Sequence, residues 1–80
     1  METRVAVISI IIENPDSVQA MNELLHQYSS YVIGRMGIPY LAKGINIISV
    51  AVDAPQDQIS ALSGKIGRLP GVSAKAAYSK

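Results

Sequence analysis

The chain has 80 residues, which predicts one small domain, residues 1–80, whose core is marginal by itself. It has no cysteine, so disulfides, iron–sulfur ligation and thiolate chemistry are excluded. Seven Lys and Arg stand against six Asp and Glu, a net charge of +1 that argues against nucleic-acid capture by bulk charge.

The first strand is expected from about Arg4 to Glu13, reading R-V-A-V-I-S-I-I-I before the glutamate. It does not alternate cleanly, as a strand with one wet face should. Asn14-Pro15-Asp16-Ser17 then opens a helix, with Asn14 as N-cap, Pro15 at the first position and Asp16 at the positive end of the dipole. Val18, Met21, Leu25 and Tyr28 form its apolar stripe, with Leu24 beside them. Ser29-Ser30 breaks the helix. Tyr31 to Gly37 reads as a second strand, weakened or bulged at Gly34. Ile38 to Gly44 reads as a loop in which Pro39 keeps Ile38 extended. The third strand spans about Ile45 to Asp53. Asp53-Ala54-Pro55 is expected to open the second helix as Asn14-Pro15 opens the first. Ile59, Leu62, Ile66 and Leu69 repeat the stripe. Leu69-Pro70-Gly71 leads to a fourth strand from Val72 to Tyr78.

The order is βαββαβ. It predicts an α+β ferredoxin-like sandwich, an antiparallel sheet with two helices on one face. Ile48, Val50 and Val52 are expected toward the helices, which leaves Ile45, Ile47, Ser49 and Ala51 on the uncovered face. Apolar residues on both faces of the first and third strands predict a homo-oligomer, a dimer or tetramer. No apolar run approaches the ~20 residues of a membrane span. No signal-like leader precedes the first strand, so a cytoplasmic protein with no membrane partner is expected.

Residues that would name a reaction are mostly missing. His26 is the single histidine. It sits off the apolar stripe and reads as a solvent-facing side chain rather than a metal ligand or catalytic base. No Gly-x-Ser-x-Gly elbow is present. Gly64-Lys65 lacks the earlier glycine and the following Ser or Thr of a phosphate loop. Glu13, Asp16, Asp53 and Asp57 are explained by capping and dipole complementarity. No cofactor, no metal and no enzymatic activity are expected.

Val32-Ile33-Gly34-Arg35-Met36-Gly37 resembles the glycine signature of KH RNA-binding domains, in which a loop between two helices lets backbone approach nucleotides. That leaves an RNA- or nucleotide-binding module as the alternative function. Against it, Pro39 follows at once and no helical pattern continues. The favoured reading is an edge strand whose Gly34, Met36 and Gly37 permit close approach of another chain. Arg35 could grip a carboxylate or phosphate, or pair with an acid of a neighbouring subunit.

The chain also resembles ACT domains, which are small regulatory modules, in its element order and in Leu69-Pro70-Gly71-Val72. It resembles more closely the short family of iron-only hydrogenase system regulators. The similarity spans nearly the whole chain. It rests on Arg4-Val5-Ala6-Val7-Ile8, on Asn22-Glu23-Leu24-Leu25-His26, on Asp53-Ala54-Pro55, on Gly67-Arg68-Leu69-Pro70-Gly71-Val72 and above all on Gly34–Tyr40. The resemblance implies a non-enzymatic regulatory role, with a small effector or a partner protein bound near loops and interfaces. Asn14, Asp16, Arg35 and Tyr40 are the candidate contacts. The loop after the first strand lacks the glycine usual in amino-acid-binding ACT domains. The metal ligands of nickel-responsive repressors and the phosphate loop of acylphosphatases are also missing.

Overall fold

The computed structural model describes residues 2–80. The elements run β1 (Arg4–Ile12), α1 (Val18–Gln27), β2 (Val32–Tyr40), β3 (Ile45–Ala54), α2 (Gln56–Gly67) and β4 (Val72–Tyr78). Short 3-10 turns occupy Pro15–Ser17, Ser29–Tyr31 and Leu41–Lys43. The strands form one antiparallel sheet in the order β2-β3-β1-β4. This is an α+β arrangement of a four-stranded sheet and two helices.

Alternation within β1 and β3 decides which face is covered. Ala6, Ile8, Ile10 and Ile12 of β1 are buried, as are Ile48, Val50, Val52 and Ala54 of β3. Successive side chains of a strand point to opposite faces, so this set forms one layer. The helices complete it with Met21, Leu25 and Tyr28 from α1 and Ile59, Leu62 and Ile66 from α2. Both apolar stripes therefore face the sheet, and β3 takes the phase expected from its sequence. Tyr28 also links the helices, because its hydroxyl accepts a hydrogen bond from Lys65 Nζ at 2.8 Å.

The two helix starts differ. Asn14 has extended backbone and its Oδ1 accepts from the Asp16 N–H at 3.0 Å, with Pro15 at the first position. That is the expected cap, set on a 3-10 turn that leads into α1. At α2 the equivalence fails. Asp53 lies within β3 and is exposed, and the residue before the helix is Pro55, which offers no side-chain cap. The Pro55 carbonyl instead accepts from the N–H groups of Gln58 and Ile59. Ala54 pairs with Arg4, so strand hydrogen bonding carries the chain past the position where a cap was expected.

The connection from β1 to α1 is clasped to the turn before β4. The Glu13 N–H donates to the Gly71 carbonyl at 2.7 Å, and the Ser17 hydroxyl donates to the Pro70 carbonyl at 2.6 Å. Gly71 has φ +68° and lies so close to Asn14 that a Cβ there would stand 2.7 Å from the Asn14 Cβ. No L side chain satisfies both demands easily.

β2 departs most from expectation. It continues through Ile38 and Pro39 to Tyr40, which pairs with Ile45, so the connecting turn is only Leu41 to Gly44. Pro39 is tolerated because β2 is an edge strand, where a missing N–H need not break a ladder. Gly44 turns the hairpin at φ +63°. The irregularity near Gly34 is present as a bulge. Val32 pairs with Val52 but Gly34 pairs with Ala51, so Ile33 is the extra residue.

Three stability outcomes follow from this fold. Leu62→Ala should cost about 2–5 kcal/mol by loss of transfer energy and creation of a cavity; urea unfolding at several protein concentrations measures it. Gly44→Ala should cost about 1–2 kcal/mol from its positive φ alone. Gly71→Ala should cost clearly more in the same assay, because the Asn14 contact adds to that strain.

Candidate functional site

The residues expected from sequence to contact a ligand do not converge. Asn14 and Asp16 lie at the start of the turn before α1, where Asn14 serves as cap and packs closely on Gly71. Arg35 pairs with Val50, a residue of the helix-covered layer, and so projects toward α1. Tyr40 pairs with Ile45 on the opposite, uncovered face. Gly34 and Met36 share that open face, while Gly37 pairs with buried Ile48 and lies on the helix side.

Arg35 is placed by the bulge. Were Ile33 paired in regular alternation, the residues that follow Val32 would keep its parity, and Arg35 would face the open side. One residue left out of the ladder shifts the alternation counted along the sequence for everything after it. Arg35 then reaches across to α1, where its Nη2 donates to Asn22 Oδ1 at 2.9 Å.

A cleft of about 370 Å³ lies between α1 and β2, lined by Asn22, Leu25, His26, Ser29, Val32 and Arg35. A wider groove of about 800 Å³ continues along the flank of α1 past Val18, Gln19 and Glu23. The two share Asn22 and His26. His26 is exposed, as its place beside Leu25 implied. The sequence did not mark Asn22 or Ser29 as ligand contacts. Asn22 and His26 are four apart and off the apolar stripe, so helical spacing already puts them on one flank. The strand that faces that flank could be read only with the bulge known.

The uncovered face is the second feature. Val5, Val7 and Ile11 of β1, Ile47 of β3, and Met36, Ile38 and Tyr40 of β2 are all exposed on it. Its charges are Asp53 toward the end of β3 and Lys75 on edge strand β4. The middle of the face is neutral. A depression of about 270 Å³ lies there, lined in part by Val7, Gly34, Met36, Ser49 and Ala51.

Among the described residues, no three His, Cys, Asp or Glu side chains gather into a possible metal site. No helix formed by the described residues is long and apolar enough to cross a membrane. The Gly34–Gly37 segment is strand rather than a loop between helices. The backbone geometry of a KH glycine loop is therefore absent.

The TM1266-like family model, described provisionally as an iron-only hydrogenase system regulator, matches residues 4–76. The chain belongs to this family. The TM1266-like match covers both helices and all but the last residues of β4. The chain is similar in structure to TM1266 of Thermotoga maritima, an uncharacterised protein, with TM-score 0.94 and 32% identity over 99% of this chain and 100% of that one. A protein of unknown function from Galdieria sulphuraria matches with TM-score 0.67 and 19% identity, over 99% of this chain and 46% of that one. That second likeness shows the fold alone. No curated protein matches the chain.

Asn14→Ala should destabilise the protein by about 0.5–2 kcal/mol, the usual loss for an N-cap. Chemical denaturation of the variant checks this assignment of Asn14 to the fold.

Proposed function

We propose that this chain is a non-enzymatic regulatory module of an iron-only hydrogenase system, acting through self-association and through binding of an effector or partner protein. We read the fold as a ferredoxin-like, ACT-like single domain that works in the cytoplasm without a cofactor. The family description supports the regulatory part, since it names a regulator and no reaction.

The observation that carries self-association is the apolar open face. Met36 is 63% exposed and Ile38 is 51% exposed, on a strand where eight of nine residues are exposed. Large exposed apolar patches mark interaction sites. Surface area points the same way. A compact monomer of 8.5 kDa exposes about 4700 Å², whereas this chain exposes 5109 Å². A standard interface takes about 800 Å² from each partner, roughly a sixth of that surface. Edge design agrees as well. β4 carries Lys75, a common guard against strand addition, while β2 has Arg35 as its one charge and sends it toward α1.

Light scattering at micromolar concentration should give a dimer or tetramer. Ile38→Glu should dissociate it by setting a charge in the neutral face. A wild-type mass of 8.5 kDa would rule out self-association. Regulation is tested in cells that carry an iron-only hydrogenase and lack this chain. Wild type should change hydrogenase transcript or activity on return, and Ile38→Glu should not. No response to wild type would remove the regulatory reading.

A further inference from the structure

We propose that the cleft between α1 and β2 binds the carboxylate of a small organic acid. This deepens the effector part of the regulatory reading and rests on it for its biological use.

The first ground is the kind of polar groups on offer. Asn22 Oδ1 is already occupied by the Arg35 guanidinium at 2.9 Å, so the group the amide has left to offer is its NH₂. Arg35 keeps the rest of its five N–H donors. Ser29 adds a hydroxyl and His26 an imidazole to the same lining. No carboxylate lines this cleft. Glu23 lies in the adjoining groove, where it accepts from Gln19 at 3.4 Å. A lining rich in donors and free of acids calls for an acceptor that carries negative charge, and a guanidinium fork matches the planar carboxylate.

The second ground is where Arg35 stands. Its strand neighbours on the helix side are Val50 and Ile8, both fully buried. The same row therefore changes from aliphatic to cationic as it leaves the core. Asn22 holds the guanidinium through a neutral acceptor, so its charge is oriented but not neutralised. Gly37, two residues on and on the same side, has an ordinary φ and room for a Cβ, whose nearest neighbour would be Ile48 at 3.9 Å. Nothing inside the chain requires glycine there, and its lack of a side chain leaves the approach beside Arg35 open.

Carboxylate is favoured over phosphate for a further reason. Leu25, His26 and Ser29 lie at the C-terminal end of α1, the negative end of its dipole. A single negative charge tolerates that field better than two. Leu25 and Val32 give the cleft an apolar floor for the body of the acid.

The test is an NMR titration of the full chain with sodium butyrate, with inorganic phosphate and butylamine as separate arms. Saturable shifts at the Asn22 side-chain amide and Arg35 Nε are expected, with a Kd on the order of 1 mM for so small a probe. Arg35→Gln should weaken binding by about tenfold or more. Asn22→Asp should weaken it too, by giving Arg35 an internal carboxylate. Both positions are exposed, and the spectra report whether the variants keep the fold. Linear shifts without saturation overturn the proposal, as does equal binding by Arg35→Gln. Tighter binding of phosphate or butylamine overturns the carboxylate assignment. Light scattering on the same samples separates the two claims. An oligomer that ignores butyrate sinks the cleft and leaves self-association standing, whereas a monomer that binds butyrate in an Arg35-dependent way supports the cleft.

Discussion

Two helices can cover one face of a four-stranded sheet and no more. The rest of this molecule depends on that constraint. The helices supply Met21, Leu25, Tyr28, Ile59, Leu62 and Ile66 to one layer, and the sheet answers with alternate residues of β1 and β3. The other alternate set is left to solvent, although Val5, Val7, Ile11 and Ile47 are as aliphatic as the buried set. No other element among the described residues covers them. Its 42 Å length against widths of 19 and 17 Å shows how far it is from a sphere. Apolar excess is thus concentrated on one flat surface and not dispersed.

Most of the architecture was legible because it rests on local rules. The stripes at Val18–Tyr28 and Ile59–Leu69 have helical spacing and face the core as that spacing requires. Asn14-Pro15 signals a helix start and forms one. The sequence misleads where strand pairing overrides a local signal. Asp53 resembles a cap, yet β3 runs on through Ala54 because Arg4 pairs with it. Pro39 resembles a loop residue, yet β2 runs on to Tyr40 because an edge strand tolerates proline. Both errors shortened a strand, and both came from judging a residue without its partner.

The site was less legible for a different reason. Arg35 and Tyr40 looked like one group because they are near in sequence, but they occupy opposite faces of β2. Asn14 and Asp16 looked like loop ligands, but Asn14 is engaged in capping and in the close contact with Gly71. Asn22, which holds Arg35, enters the sequence reading only within the family resemblance and not as a contact. What joins these two residues is a contact between helix and strand across 13 positions of sequence, which no short pattern reports. The outcome is a strand with two separate chemistries, one guanidinium toward α1 and Met36, Ile38 and Tyr40 away from it. Arg35 and Met36 are consecutive, so the cleft and the open face share one stretch of backbone. A ligand in the cleft alters association only to the extent that it binds the associated and free forms differently.

The extra residue at Ile33 has an implication for how such a chain can diversify. A substitution changes one side chain where it stands. Drawing Ile33 into the ladder opposite Ala51 would instead transpose the whole remainder of the strand, sending Arg35 outward and Met36 and Ile38 inward, whereas deleting Ile33 would leave every later residue on its present face. The hydrogen-bonded ladder could persist while cleft and open face traded their chemistry. Descendants of one ancestor could therefore differ in what they bind through a change of register at one position, while residue-by-residue comparison recorded almost complete identity.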